Sequence, residues 1–251
     1  MLKQKIVKCI LGLSLFLIAI LPVNAQDTGS MKVKDYPGAR PDIPGMLGLE
    51  FGWVLAPDLP EAMKLNFIGS VYLSPYYKYE IRIPNSNFSF HPGIAIASEK
   101  YSFDNNITLI STPTPSGYMT DIVGLDSLFA DASIKKSKLN AVYLEIPLEI
   151  SFRTNRELPK RSFRFTVGAR GGIRLDAKTK YTYRQDGQTK KSKQKENFDL
   201  NTWRVVLVGR IGYGSVNLFY NYSMLPLFMK DRGPLGTEAQ SMNLGISFDL
   251  F

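Results

Sequence analysis

From residue 45 onward the chain alternates apolar and polar residues in steps of two, the period of a β-strand rather than a helix. Eight segments carry the pattern. They are Leu47–Leu55, Val71–Arg82, Phe88–Ala97, Val142–Phe152, Phe163–Leu175, Trp203–Tyr213, Val216–Met224 and Met242–Leu250. In the sixth, Trp203, Val205, Leu207, Gly209, Ile211 and Tyr213 fall on one face, against Arg204, Val206, Val208, Arg210 and Gly212 on the other. The two faces differ in kind throughout. One is aliphatic and aromatic. The other carries Glu50, Lys78, Glu80, Arg82, Glu145, Glu149, Arg164, Arg170, Arg174, Arg204, Arg210 and Asp249.

A water-soluble sheet would cover its apolar face with a second layer. Here eight long segments supply apolar faces, and no further apolar layer is evident to cover them. A transmembrane barrel inverts the arrangement, with apolar residues towards lipid and polar residues towards the lumen. A tilted strand of about 9–11 residues suffices to cross. The connections sort the same way. Those after the second, fourth and sixth segments are short, and the last of these is the turn Gly212-Tyr213-Gly214-Ser215. Those around 57–67, 104–138, 176–201 and 230–239 are longer. Alternation of short turns and long loops is the habit of outer-membrane barrels. The expected fold is all-β, an eight-stranded antiparallel transmembrane barrel over residues 45–251 in the outer membrane of a Gram-negative bacterium.

The first residues fit that destination. Lys3, Lys5 and Lys8 precede an apolar run from Ile10 to Leu21, and Val23 and Ala25 suit a cleavage site before Gln26. Residues 1–25 therefore read as a secretory signal peptide, and 26–44, with Pro37, Pro41 and Pro44, as a periplasmic leader segment. Removing the three lysines turns 31 basic and 22 acidic residues into 28 and 22, a net charge of +6. The only cysteine, Cys9, is lost with the signal peptide, which excludes disulfides and thiol chemistry from the mature chain.

Two local strings resemble a known family. Tyr143-Leu-Glu-Ile-Pro-Leu148, and Gly212-Tyr-Gly-Ser-Val-Asn-Leu-Phe219 followed by Tyr222 and Pro226-Leu-Phe228, look like the PorT-like outer-membrane β-barrel family, small barrels of OmpA or OmpX shape. The resemblance covers most of 45–251. It implies a barrel fold and, for some members, support of a specialised secretion system. Two positions depart from expectation: Phe251 falls out of phase with the apolar set of the last segment, and Pro147 interrupts the fourth, where a bulge is expected.

The lumen charges are expected to neutralise one another, because an unpaired charge in a narrow interior is costly. The alternatives are a polar conduit for small solutes or a catalytic carboxylate pair, Glu145 and Glu149. His91, the only histidine, has Ser89 two residues away on the same face; a lipid-modifying barrel enzyme would need such a pair. The segment 178–195 carries Lys178, Lys180, Arg184, Lys190, Lys191, Lys193 and Lys195 around Asp186-Gly187, a hairpin-turn signal. It is expected to form a twisted ribbon above the membrane with a partner-facing basic tip. Thr112-Pro-Thr-Pro115 reads as a bend, and Ile122–Ala132 is apolar enough to pack. No phosphate loop, zinc spacing or calcium loop is present, and no cofactor, metal or nucleic acid is expected. The expected role is non-enzymatic: a structural or accessory component, of a secretion or surface-assembly machine, in contact with membrane lipids and with protein partners in the outer membrane or periplasm.

Overall fold

The computed structural model describes residues 45–114, 117–129, 132–155 and 157–250. The expected signal peptide (1–25), the expected leader segment (26–44) and Phe251 lie outside them. Twelve strands form among the described residues: β1 (Met46–Leu55), β2 (Val71–Lys78), β3 (Ile81–Arg82), β4 (Phe88–Phe103), β5 (Ile107–Thr114), β6 (Gly117–Gly124), β7 (Ser133–Arg153), β8 (Phe163–Gln185), β9 (Gln188–Lys195), β10 (Trp203–Tyr213), β11 (Val216–Ser223) and β12 (Met242–Asp249). Eight of them pair antiparallel in the cyclic order β1, β2, β4, β7, β8, β10, β11, β12, and β12 returns to β1. The chain is an eight-stranded all-β ring.

Alternation along the strands produces the radial arrangement. On β7, Tyr143, Glu145 and Glu149 are buried inside, while Ile146, Leu148 and Ile150 are exposed outside. The same belt continues through Phe51, Ile94, Ile96, Val167, Leu207, Ile211, Leu218, Leu244 and Ile246. Exposed apolar area on this scale is lipid-facing surface in a barrel.

Three strands outrun their apolar alternation. β4, β7 and β8 continue past Ala97, Val142 and Leu175 because the ladder persists after the outer face turns polar. The second segment instead breaks. β1 pairs with β2 only as far as Met46 opposite Lys78, and the two-residue β3 beyond it is held by β4 alone. Pro147 forms no bulge. It sits in unbroken register opposite Arg170 on β8, and the register shifts of β7 lie at Ile134/Lys136 and Val142/Tyr143. On its β4 side the ladder skips from Leu148–Pro92 to Glu145–Ala95 without gaining a residue. The missing N–H is met by an omitted pairing rather than by an inserted residue.

The long loops close the extracellular end. β5 and β6 form their own hairpin, followed by a single helical turn, α1 (Leu125–Leu128). Leu109 and Leu125 are buried there. An apolar cluster joins loop residues Met63, Leu109, Phe198, Leu200, Leu227 and Phe228 to the upper barrel residues Val54, Tyr72, Tyr101, Leu139 and Phe219. Thr120 ties β6 to the opposite side, its hydroxyl donating to Asp199 at 3.0 Å and its amide to the Arg232 carbonyl at 3.3 Å.

Candidate functional site

Below the apolar cap the lumen holds charge. Glu50 on β1 is fully buried and receives Arg170 Nη2 at 2.5 Å and Nη1 at 3.0 Å, Tyr72 Oη at 3.1 Å, and Arg210 Nη2 at close range. Glu149 on β7 receives Lys78 Nζ at 2.7 Å and Arg210 Nη1 at 2.6 Å, with Arg170 Nε at 3.4 Å. Arg170 and Arg210 thus bridge Glu50 and Glu149. Glu145 lies 3.5 Å from Arg170 Nη1 and 3.4 Å from Arg204 Nε. Nearer the cap, Glu99 accepts from Arg204 Nη2 at 2.5 Å, Tyr101 Oη at 2.5 Å and Asn243 Nδ2 at 2.6 Å. Towards the short turns, Asp249 pairs with Arg164 and accepts from Tyr76 Oη at 2.6 Å. Five carboxylates (Glu50, Glu99, Glu145, Glu149 and Asp249) therefore meet five bases: Lys78, Arg164, Arg170, Arg204 and Arg210.

Three sequence-derived members of this group lie elsewhere. Arg82 follows the break in β2 and is more than half exposed, 3.7 Å from Glu80. Arg174 sits at the upper mouth, where the β7–β8 register shifts, and its Nη1 donates to the Asn197 carbonyl at 2.5 Å. Glu80 is at the lower rim, 3.9 Å from Arg153 and accepting from Ser89 Oγ at 3.0 Å. Sequence reasoning left out Glu99, Tyr72, Tyr76, Tyr101, Asn221 and Asn243. Glu99 shares the parity of the buried Ala95 and Ala97, so continuing the count two residues further would have found it.

His91 is buried in the lumen, opposite Glu149 in the β4–β7 register. Neither ring nitrogen has a hydrogen-bond partner among the described residues. The Ser89 hydroxyl is engaged with Glu80, so the two residues do not form a nucleophile–base pair. Among the described residues, no group of three or more His, Cys, Asp or Glu side chains is placed to hold a metal.

Outside the barrel, β8 and β9 form the basic ribbon. It turns at Asp186 and Gly187, both with positive φ (52° and 75°), the conformation that favours Asp-Gly in tight hairpins. Lys178, Lys180, Arg184, Lys191, Lys193 and Lys195 share one face, while Lys190 lies on the other, opposite Tyr183. That second face is covered: Phe129 stacks on Tyr183 with ring centroids 4.4 Å apart and packs against Tyr181 at 5.8 Å. Asp176 is held below the usual aspartate range by its hydrogen bond and charge contact with Lys195, at 3.0 Å, and by Lys178 at 3.4 Å. Burial, with Lys100, Lys136 and Lys180 alongside, pushes the Lys138 pKa down.

A closed eight-strand ring with an apolar exterior and a charged interior defines an integral barrel of the Gram-negative outer membrane. A family model described as outer membrane protein beta-barrel domain matches residues 60–229, and the chain belongs to that family. Ail, the attachment invasion locus protein of Yersinia pestis, is 12% identical with a TM-score of 0.34, over 81% of this chain and 96% of Ail. Ail in complex with the heparin analogue sucrose octasulfate gives 10% identity and 0.30 over the same shares, 81% and 96%. A mutant Rh. blastica porin gives 10% and 0.20, over 82% of this chain and 99% of the porin. No curated protein matches the chain.

Proposed function

We propose that this outer-membrane barrel is a non-enzymatic structural or accessory component, working in a secretion or surface-assembly machine of the kind the PorT-like resemblance implies. The observation that carries this reading is the filled interior. Five carboxylates and five bases interlock across the lumen, and an apolar cluster of loop residues seals its upper end. A barrel of this size with its interior occupied by side chains offers no aqueous path, which leaves its outer surfaces as the working parts. The Lys178–Lys195 ribbon projects beyond the ring and is the docking element.

The test is affinity isolation from detergent-solubilised outer membranes, using the full chain and a variant with 179–194 replaced by a short turn. Co-purification of envelope proteins with the full chain, lost with the ribbon, is the expected result. Stable ion-selective openings of the purified chain in planar bilayers would overturn the filled-scaffold reading.

A further inference from the structure

The outward face of the β4–β7–β8–β9 sheet changes character at a single level. Ile94 and Ile96 on β4 and Ile146 on β7 belong to the apolar belt. The last row of that belt aligns Ser98, Val142 and Asp176. Two residues further up, Lys100, Asn140, Lys178 and Lys195 stand side by side. Two further still, Ser102 is followed by Lys138, Lys180 and Lys193. Directly paired residues in an antiparallel ladder share a face, and neighbouring strands are about 4.8 Å apart. Three ammonium groups therefore stand in one row at roughly that spacing.

Like charges placed directly opposite destabilise a sheet. The carboxylate on this face is Asp176, already committed to Lys178 at 3.4 Å and Lys195 at 3.0 Å. The row of Lys138, Lys180 and Lys193 has no ion pair among the described residues, and the ribbon's other face is closed by Phe129. The height of the row restricts the counter-ion. The first lysine row stands about 7 Å beyond the Val142 row along the strand, at roughly 3.4 Å per residue, and the Lys138–Lys180–Lys193 row about 14 Å, which a barrel tilt of about 40° reduces to roughly 10 Å along the bilayer normal. The polar headgroup zone on each side of a bilayer is about 5–7 Å thick. The Lys138–Lys180–Lys193 row therefore faces outwards just above that zone, and its flexible side chains can reach down to the lipid phosphates.

We infer that the outward lysine face of the ribbon is a binding site for the phosphate groups of an anionic outer-leaflet lipid. This rests on reading the ribbon as the docking element and names its ligand. The acyl chains would run down the belt formed by Val142, Ile96 and Ile146, while the phosphates meet the Lys138–Lys180–Lys193 row. The repulsion from Lys100, Lys136 and Lys180, which adds to burial in lowering the Lys138 pKa, is relieved by the anion.

The test uses the full chain in phosphatidylcholine nanodiscs containing a small fraction of lipid A, with retained lipid read by mass spectrometry. Dephosphorylated lipid A, free inorganic phosphate and a polyglutamate peptide form the other arms. Selective retention of phosphorylated lipid A is expected. It should fall on the order of 100-fold in Lys138→Gln/Lys180→Gln/Lys193→Gln, since each lysine near an anionic surface is worth roughly a fivefold change. Lys190→Gln, on the opposite face of the ribbon, should leave it unchanged. Each variant is first checked for the mobility shift on heating that marks a folded barrel. Equal retention of the dephosphorylated lipid, or undiminished retention by the triple variant, would overturn the lipid assignment. So would polyglutamate binding without lipid selectivity, which would preserve the ribbon as a protein-docking element. Binding to none of the probes, with no protein co-purified, would overturn both readings.

Discussion

In the lumen, Arg170 and Arg210 each touch both Glu50 and Glu149, and every base has a carboxylate within 4 Å. On the ribbon, Lys138, Lys180 and Lys193 stand in a row facing one another. Cations of similar chemistry are thus placed under opposite rules a few strand positions apart. The lumen charges are buried, so each persists only when neutralised within the fold. The ribbon is hydrated, so its repulsion is tolerable and its neutralisation is left to something outside the chain. An internally balanced site is a brace. An unbalanced one is an affinity.

The largest expected effect tests the brace. Glu50→Gln leaves Arg170 and Arg210 short of their shared carboxylate and should destabilise the barrel by about 3–5 kcal/mol, the range for breaking a buried pair. Urea unfolding in detergent micelles, followed by Trp53 and Trp203 fluorescence, measures it. A loss below about 1 kcal/mol would show that the lumen is more hydrated than its packing implies. Glu99→Gln is expected to cost less, about 1.5–3 kcal/mol, because Glu99 pairs with one arginine rather than two, and Arg204 retains Glu145 at 3.4 Å. Lys180→Gln on the ribbon should change stability by no more than about 0.5 kcal/mol, with the sign towards stabilisation, since it removes a like-charge row. Destabilisation on the scale of Glu50→Gln would erase the contrast between the two regions.

The smallest expected effect is one of pH. Asp176 has its pKa lowered by Lys195 and Lys178. Its contribution is therefore fully present above the ordinary aspartate value of about 3.9 and is lost as pH falls through the lower folded value. Amide exchange in β9 should quicken on acidification below about pH 4, and Asp176→Asn should remove that pH dependence at the base of the ribbon. Ladder protection that is indifferent to both would mean the Asp176 contact does not hold the ribbon.

The ring itself was legible because lipid enforces a strict inside–outside code over each crossing. Wherever both faces meet water or protein, that code lapses. β4, β7 and β8 run on past Ala97, Val142 and Leu175 with polar residues on the outer face, and an apolar count cannot follow them. The cap was hidden for a related reason: Met63, Leu109, Phe198 and Phe228 come from four separate loops, and their meeting is a matter of tertiary geometry. Within the lumen, Glu50, Glu145, Glu149, Arg170, Arg204 and Arg210 are buried side chains of one parity on their strands. Glu80, Arg82 and Arg174 fall outside the network because each adjoins a local irregularity, the break after Lys78 for the first two and the shift opposite Val142/Tyr143 for the third. Tyr72 and Tyr76 fall on the polar face by the same count, but a list of charges leaves them out, and tyrosines suit lipid, lumen and loop alike.

The pairing of β12 with β1 has a kinetic consequence. Gly48 lies opposite Asp249 and Leu55 opposite Met242, so the last strand in the chain joins the first. Gly52 and Gly245 face each other at this seam, where a Cβ on either would collide with the backbone of the other strand. Every other adjacent pair in the ring is nearer in sequence. This one is the most non-local contact in the fold, and non-local contacts form slowly. Until it forms, β1 and β12 are two open edges, each a template for a foreign strand. Folding is therefore committed late, at a single glycine-lined zipper, and the interval before it closes is when the nascent barrel is most exposed to aggregation.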